Sequence, residues 1–502
     1  MDVITVTLCL LITTSLCFII PKAIKQRYSN LPPGPTPLPV IGSLHLLGTK
    51  PHKSLAKLAQ THGPIMTLKL GQITAIVISS ASAARLVLQK QDHLFANRSV
   101  PDSLQACDHG KLSVAWIPLS PKWRELRKIC STYIFSSQKM EANSHLMMQK
   151  VEELIADVRK KCTAEEPVLI GEAAFKTSMN LLSRVILSTD LADGESEASR
   201  EFKKSFWDIM ELGGSPNLVD FFPWLERVDP QRIRARMEPH CLKMLSLMDR
   251  LIDQRLARRA EEASGFDKEK DVLDSLLDIM QDSNEVLTRN EMNHLLQDLF
   301  VAGTDTTAST LEWAMSEVLK NPEIYSKAKS ELEQVTGKGK PVQDADVALL
   351  PYLQAIVNET LRLHPPTPLL LPRKTLEAVE LSGFTVPKGA QVMVNAWAIG
   401  RDSTTWDDPE CFKPERFLGS NVSFVGGNFE VIPFGGGRRI CPGLQMAVKM
   451  LQSMLGSLIN CFDWKLEDGQ SPEDVDMDDK FGITLQKSHP LKAIPSPVRG
   501  FL

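Results

Sequence analysis

The chain has 502 residues, with 57 Lys and Arg against 61 Asp and Glu and a formal net charge of −4. The charges are scattered, so there is no basic stripe of the kind that nucleic acid requires, and nucleic-acid binding is set aside. The nine cysteines include no CxxC pair and lack the dense, even spacing of a disulfide framework, which points to a reducing compartment. Eight of them read as ordinary apolar residues, and Cys441 is the exception.

In chain order, the first feature is an uncharged run from Val3 to Ile20, just long enough to span a bilayer, followed by Pro21, Lys22, Lys25 and Arg27. Asp2 precedes the run and no small-residue cleavage site follows it, so residues 1–21 are expected to be a retained transmembrane anchor and not a cleaved signal. Positive charge after the anchor places the remainder on the cytoplasmic side. Residues 22–40 read as a basic, Pro-rich hinge, because the prolines of Leu31 to Pro39 fix φ and remove amide donors. Residues 41–502 read as one domain, mainly α with a minor β-sheet region. Ile65 to Leu70 and Ile73 to Ile78 form a predicted hairpin about Gly71-Gln72. Helical periodicity then dominates from about Ala81 to about Glu359, and strand signals return in short pieces such as Val392 to Asn395.

The longest predicted helix starts at a capping box, Thr288 with Glu291, and stops at Asn321-Pro322. About 31 residues at about 1.5 Å each give it a length of about 46 Å, enough to cross a domain. Its middle, Ala302-Gly303-Thr304-Asp305-Thr306-Thr307, is a small, polar patch that helix propensity would not choose, and its hydroxyls are expected to open a local bulge and hold water. Farther on, Phe434-Gly435-Gly436-Gly437-Arg438-Arg439-Ile440-Cys441-Pro442-Gly443 precedes the apolar helical run Leu444 to Ile459. Three glycines let backbone lie flat against a planar ring. Cys441 stands where turn and helix-terminal N–H groups can stabilise a thiolate, and Arg439 can reach a carboxylate at the ring edge.

This last run resembles the haem-binding signature of the cytochrome P450 family, and three further stretches resemble that family in its order. The resemblance implies the cytochrome P450 fold, haem b as cofactor and Cys441 as the axial ligand of its iron. It makes Phe434, Arg439, Gly443, Trp123, Arg127 and Arg373 cofactor-binding residues. Asp305 and Thr306 become the acid and alcohol that deliver protons during oxygen activation. Glu359 and Arg362, with Arg416, become a structural set holding the region that presents Cys441. Arg124 and Lys128, on another face of the Trp123 helix, offer a basic patch for a reductase.

LPPGPTPLPVIGSLHLLG, DLFVAGTDTTASTLEWAMSE and DMDDKFGITLQKSHPL resemble the plant terpenoid hydroxylases of the endoplasmic reticulum membrane. The implied reaction is hydroxylation of a small apolar terpenoid, with geraniol as first candidate and electrons from NADPH through a separate flavoprotein reductase, since no flavin or nicotinamide fingerprint is present. Leu104, Val114, Ala302, Leu369, Leu370 and Ile483, with Thr306, are the expected pocket lining. Leu104 to Trp116 and Thr367 to Leu371 resemble diterpene-oxidising relatives instead, so a diterpene or a prenylated phenolic is the alternative substrate. A haem-thiolate isomerase or dehydratase, or a haem sensor without turnover, would have no use for the Asp305-Thr306 pair.

Overall fold

The computed structural model describes residues 30–193, 197–261, 270–282, 286–420, 422, 424 and 427–498. The expected anchor, 1–21, and the first part of the hinge lie outside the described residues. Among the described residues no helix is long and apolar enough to cross a membrane. Leu31 to Pro39 forms neither helix nor strand, as its prolines dictate.

Strands β1 (Ile65–Leu70) and β2 (Ile73–Ile78) pair antiparallel in register from Ile65 opposite Ile78 to Leu70 opposite Ile73. Gly71 takes φ +58 at the first turn position, the left-handed conformation that a two-residue hairpin loop needs. The elements that follow are β3 (Asn97–Arg98), α1 (Pro121–Ile129), α2 (Ile170–Leu187), α3 (Glu197–Gly214), α4 (Ile233–Glu261) and α5 (Arg289–Lys320). After them come α6 (Pro351–Leu363), β4 (Arg373–Lys374), β5 (Gln391–Val394) and α7 (Leu444–Cys461). The main sheet runs β1-β2-β5-β4-β3, with β5 parallel to β2, so hairpin and C-terminal half share one sheet. The chain is thus mainly helical with small sheets.

Helix α5 is the axis of the helical core and packs against α2, α4, α6 and α7. It begins as expected: the Glu291 amide donates to Thr288 Oγ1 at 3.3 Å and the Thr288 amide donates to Glu291 Oε2 at 2.8 Å. It ends as expected at Asn321, before Pro322. The bulge expected over Ala302 to Thr307 does not form, and the helix is unbroken there. Two hydroxyls instead donate one turn back, Thr306 to the Ala302 carbonyl at 2.7 Å and Thr307 to that of Gly303 at 3.0 Å, without displacing the ladder, while that of Thr304 points to Met179 Sδ at 3.8 Å. Gly303 is small because α2 passes close by, and a Cβ there would stand 2.7 Å from Leu182 Cδ1.

The C-terminal segment straps α5. Ser309 Oγ and Trp313 Nε1 donate to the Leu485 carbonyl at 2.8 and 3.1 Å, and the Leu491 amide donates to Glu312 Oε1 at 2.8 Å. These bonds fix the Phe481 to Thr484 turn beside the middle of α5.

Candidate active site

The loop before α7 is shaped by its glycines. Gly435 and Gly437 take φ +71 and +66, and a Cβ on Gly437 would lie 1.8 Å from the Leu88 carbonyl oxygen. Asp92 anchors this loop, accepting from the Arg438 amide at 2.9 Å and from Arg373 Nη1 at 2.8 Å, while Arg373 Nη2 donates to the Gly436 carbonyl at 3.2 Å. The loop closes on itself where the Cys441 amide donates to the Phe434 carbonyl at 3.0 Å. Gly443 caps α7 and abuts the Phe135 ring. Burial pushes the Cys441 thiol pKa up, against the Gly443 N–H at its sulfur and the Arg127 charge, which pull it down. A cationic metal at the sulfur would tip that balance to the thiolate.

Around the loop the arginines converge. Arg439 donates from Nε to the Ala96 carbonyl at 3.0 Å and from Nη1 to that of Val114 at 3.1 Å, and stacks 4.7 Å over the Trp123 ring. Trp123 Nε1 donates to the same Val114 carbonyl at 3.2 Å, and Arg127, one turn along α1, donates to the Ile440 carbonyl. Arg98, which nothing in its local sequence marks, joins them by donating to the carbonyls of Ala115 at 3.1 Å and Leu371 at 2.8 Å. Burial, then repulsion from Arg373 and Arg439, pushes the Arg98 guanidinium well below its usual pKa. Burial, then repulsion from Arg373 and Arg127, brings Arg439 to about 10. Asp92 is the carboxylate that opposes this cluster, so positive charge is in excess.

Helix α5 supplies the opposite wall. It is buried along most of its length, yet Ala302 is exposed and Thr306 partly so, although Phe300, Thr304 and Asp305 beside them are buried. Cys441 likewise keeps accessible surface while enclosed by protein. Accessible surface at Ala302, Thr306 and Cys441 amid buried neighbours is what an interior hollow between α5 and the Cys441 loop would leave, and that hollow is inferred from it. A flat loop with a sulfur, a buried excess of guanidinium groups and an internal hollow fit a planar metal-bearing ring that carries carboxylates, which is haem.

Asp305 and Thr306 point differently. Thr306 faces the hollow, whereas the buried Asp305 carboxylate accepts from Gln486 Nε2 at 2.9 and 3.2 Å, in the C-terminal strap. Burial raises the Asp305 pKa, with the nearby Thr484 hydroxyl and the Gln486 bond opposing.

Glu359 and Arg362 form a bidentate pair at 2.6 and 2.7 Å with both side chains fully buried. Arg416 Nε donates to Glu359 at 3.1 Å, and Arg362 also reaches the carbonyls of Gly400, Pro409 and Cys411. The set thereby ties α6 to the chain that leads into the Cys441 loop.

The expected pocket residues are brought together only in part. Val114 and Ile483 pack against the helical core, and Ile483 seats on Gly213, where a Cβ would meet its Cδ1 at 2.6 Å. Leu370, at φ +50, packs on the second core cluster near Gly435. Leu369 goes elsewhere, to the cluster of Leu55, Met66 and Leu68 beneath the hairpin. Leu104 is half-buried in a short 3₁₀ segment, Asp102–Asp108, that lies against α4. Arg124 and Lys128 are exposed on α1.

A family model described as cytochrome P450 matches residues 32–492. The chain belongs to the cytochrome P450 family. Geraniol 8-hydroxylase of Catharanthus roseus is 55% identical over 99% of this P450 and 100% of its own length. Geraniol 8-hydroxylase of Swertia mussotii is 55% identical over 94% of this chain and 95% of its own, and drimenol monooxygenase of Persicaria hydropiper is 49% identical over 99% and 98%. This P450 is accordingly a haem-thiolate monooxygenase, with haem iron as cofactor and a redox partner as electron source.

Proposed function

We propose that this P450 hydroxylates a terpenoid, with geraniol at its terminal allylic methyl as the first substrate. The observation that carries this reading is the end-to-end match to relatives named for geraniol. The apolar hollow beside Ala302 and Thr306 suits a hydrocarbon chain. Bound haem supplies reductive activation of dioxygen and insertion of one oxygen atom into a C–H bond.

The chain's own residues then have these tasks. Cys441 holds the iron, and Gly435 to Gly437 let the backbone lie against the ring. Arg98, Arg127, Arg373 and Arg439 would neutralise the ring's carboxylates, relieving the arginines' mutual repulsion, with Trp123 binding beside them and holding Arg439 by stacking. Thr306 holds a proton donor at the hollow, and Asp305, held protonated more readily than an exposed carboxyl, supplies it by turning from Gln486. Val114, Leu370 and Ile483 exclude water and leave one C–H bond facing the ring. Glu359, Arg362 and Arg416 keep the Cys441 loop in place. Electrons come from an NADPH-dependent flavoprotein reductase docking on Arg124 and Lys128. Residues 1–21 anchor the chain in the endoplasmic reticulum membrane, residues 22–40 space it from the surface, and the domain lies on the cytoplasmic side.

The test is incubation of membranes carrying this protein and a reductase with a terpenoid panel, followed by product identification. NADPH-dependent 8-hydroxygeraniol is the expected product. An abietane-type diterpene oxidised where geraniol is not would overturn the monoterpene reading and favour the segments Leu104 to Trp116 and Thr367 to Leu371 as the guide.

A further inference from the structure

On helix α5, Asp298, Ala302 and Thr306 each keep accessible surface and lie one turn apart on a single face, with Val301 and Gly303 also partly accessible beside Ala302. Ala302 and Thr306 face the hollow, so Asp298, with its side chain 10% exposed, borders the same space two turns away. Asp298 is also the centre of a buried polar cluster. Ser113 Oγ lies 2.7 Å from both carboxylate oxygens, the Val114 amide donates to Oδ2 at 2.8 Å, and His109 Nε2 stands 3.2 Å from Oδ1. Behind it, His109 Nδ1 lies 2.9 Å from His294 Nδ1.

The proton positions follow from counting. Burial, then the nearby His109, pushes the His294 pKa down to about 4, so its ring is neutral near neutral pH. If His109 Nε2 donates to Asp298, its Nδ1 is the acceptor and His294 Nδ1 is the donor, which leaves His294 Nε2 without a protein partner, as found. Asp298 then receives three protons, from Ser113, Val114 and His109, on a carboxylate with about four acceptor sites. One acceptor remains, at the edge of the hollow. Eight residues of helix put it about 12 Å from Thr306, comparable with the extended length of an acyclic monoterpene alcohol.

We propose that Asp298 accepts a hydrogen bond from the hydroxyl of an alcohol substrate and thereby sends the opposite end of its carbon chain to the reactive end of the hollow. This rests on the terpenoid reading above. Ser113, His109 and His294 are positioning residues that orient the carboxylate. Because the Val114 carbonyl also accepts from Trp123 and Arg439, the same segment registers the substrate's polar end against the cofactor's arginines.

The experiment is ligand titration of the ferric holoprotein, read by the haem spectrum, with geraniol and with its deoxy analogue 2,6-dimethyl-2,6-octadiene. A hydrogen bond to a charged group predicts roughly tenfold or greater preference for the alcohol in the unmodified protein. Asp298→Asn has the same shape but no spare acceptor once its neighbours are satisfied, so the preference falls to about twofold or less while the hydrocarbon's affinity holds. Ser113→Ala keeps the carboxylate but loosens the orientation that Ser113 gives it, so its preference for the alcohol should fall between those of the unmodified protein and of Asp298→Asn. Haem content and the ferrous-CO spectrum verify that each variant is folded. No alcohol preference in the unmodified protein, or an Asp298→Asn variant that weakens both ligands equally or neither, overturns the inference. Binding needs no turnover, so a terpenoid panel that yields product while the ratios fail to move separates failure here from failure of the proposed function.

Discussion

Thr306 and Asp305 are adjacent in the sequence and about 100° apart on α5, so one faces the hollow and the other the C-terminal strap. On the proposed function, proton delivery divides between a hydroxyl at the site and a carboxyl that must turn toward it. Thr306→Ala should keep haem, because the Thr306 hydroxyl bonds the Ala302 carbonyl within its own helix and, among the described residues, makes no bond to the Cys441 loop. Product formed per NADPH consumed should fall about tenfold or more, with peroxide released in its place. Comparing peroxide and product yields checks this. Asp305 carries a pH signature as well. Its folded pKa is raised above the ordinary 3.8, so in that window the folded state holds a proton that the unfolded state has lost. Stability contributed by this group is therefore present below the ordinary value and is lost as pH climbs through the raised one. Asp305→Asn removes that loss, and denaturation followed from about pH 4 to about pH 7 should show the variant gaining on the unmodified protein as pH rises.

At the scale of elements, what was legible in the sequence had local causes. The capping box and Asn321-Pro322 bound α5, and Gly71 marks the hairpin, because each signal acts within a few residues. Cys441 and the glycines before it were legible as a loop for the same reason. Arg98, Asp92 and the bonds to Asp298 were not, since their partners lie far along the chain and only the folded sheet and helices bring them together. The buried state of Glu359 and Arg362 was equally hidden, as an i, i+3 pair reads the same on a solvated face. Leu369 shows the limit of adjacency, since Leu370 beside it takes φ +50 and the two side chains part to different clusters. The Cys441 loop yields a sharp comparison. Gly437→Ala drives a Cβ into backbone and should sharply reduce the haem-to-protein ratio. Gly435→Ala, with Leu370 Cδ1 the nearest protein atom at 3.9 Å, incurs the left-handed cost of about 1–2 kcal/mol and meets only the ring face, so its haem-to-protein ratio should fall less than that of Gly437→Ala.

Across the whole molecule, the site is assembled from both ends of the described chain. The hairpin and β5 form one sheet, α5 crosses the helical core, and the strap from Leu485 to Leu491 locks α5 to the C-terminal part. The buried Glu359, Arg362 and Arg416 set joins α6 to the segment that leads to the Cys441 loop; leaving one such charge without its partner costs about 3–5 kcal/mol. All of this converges on one sulfur and a hollow opposite it. The ferrous-CO difference spectrum of the protein and of Cys441→Ser tests that convergence most directly. The unmodified protein should give the strongly red-shifted band of a thiolate-ligated haem, and Cys441→Ser should lose it, because a hydroxyl does not donate charge to the iron as a thiolate does. A red-shifted band that persists in Cys441→Ser, or is absent from the haem-loaded unmodified protein, would contradict Cys441 as the iron's ligand.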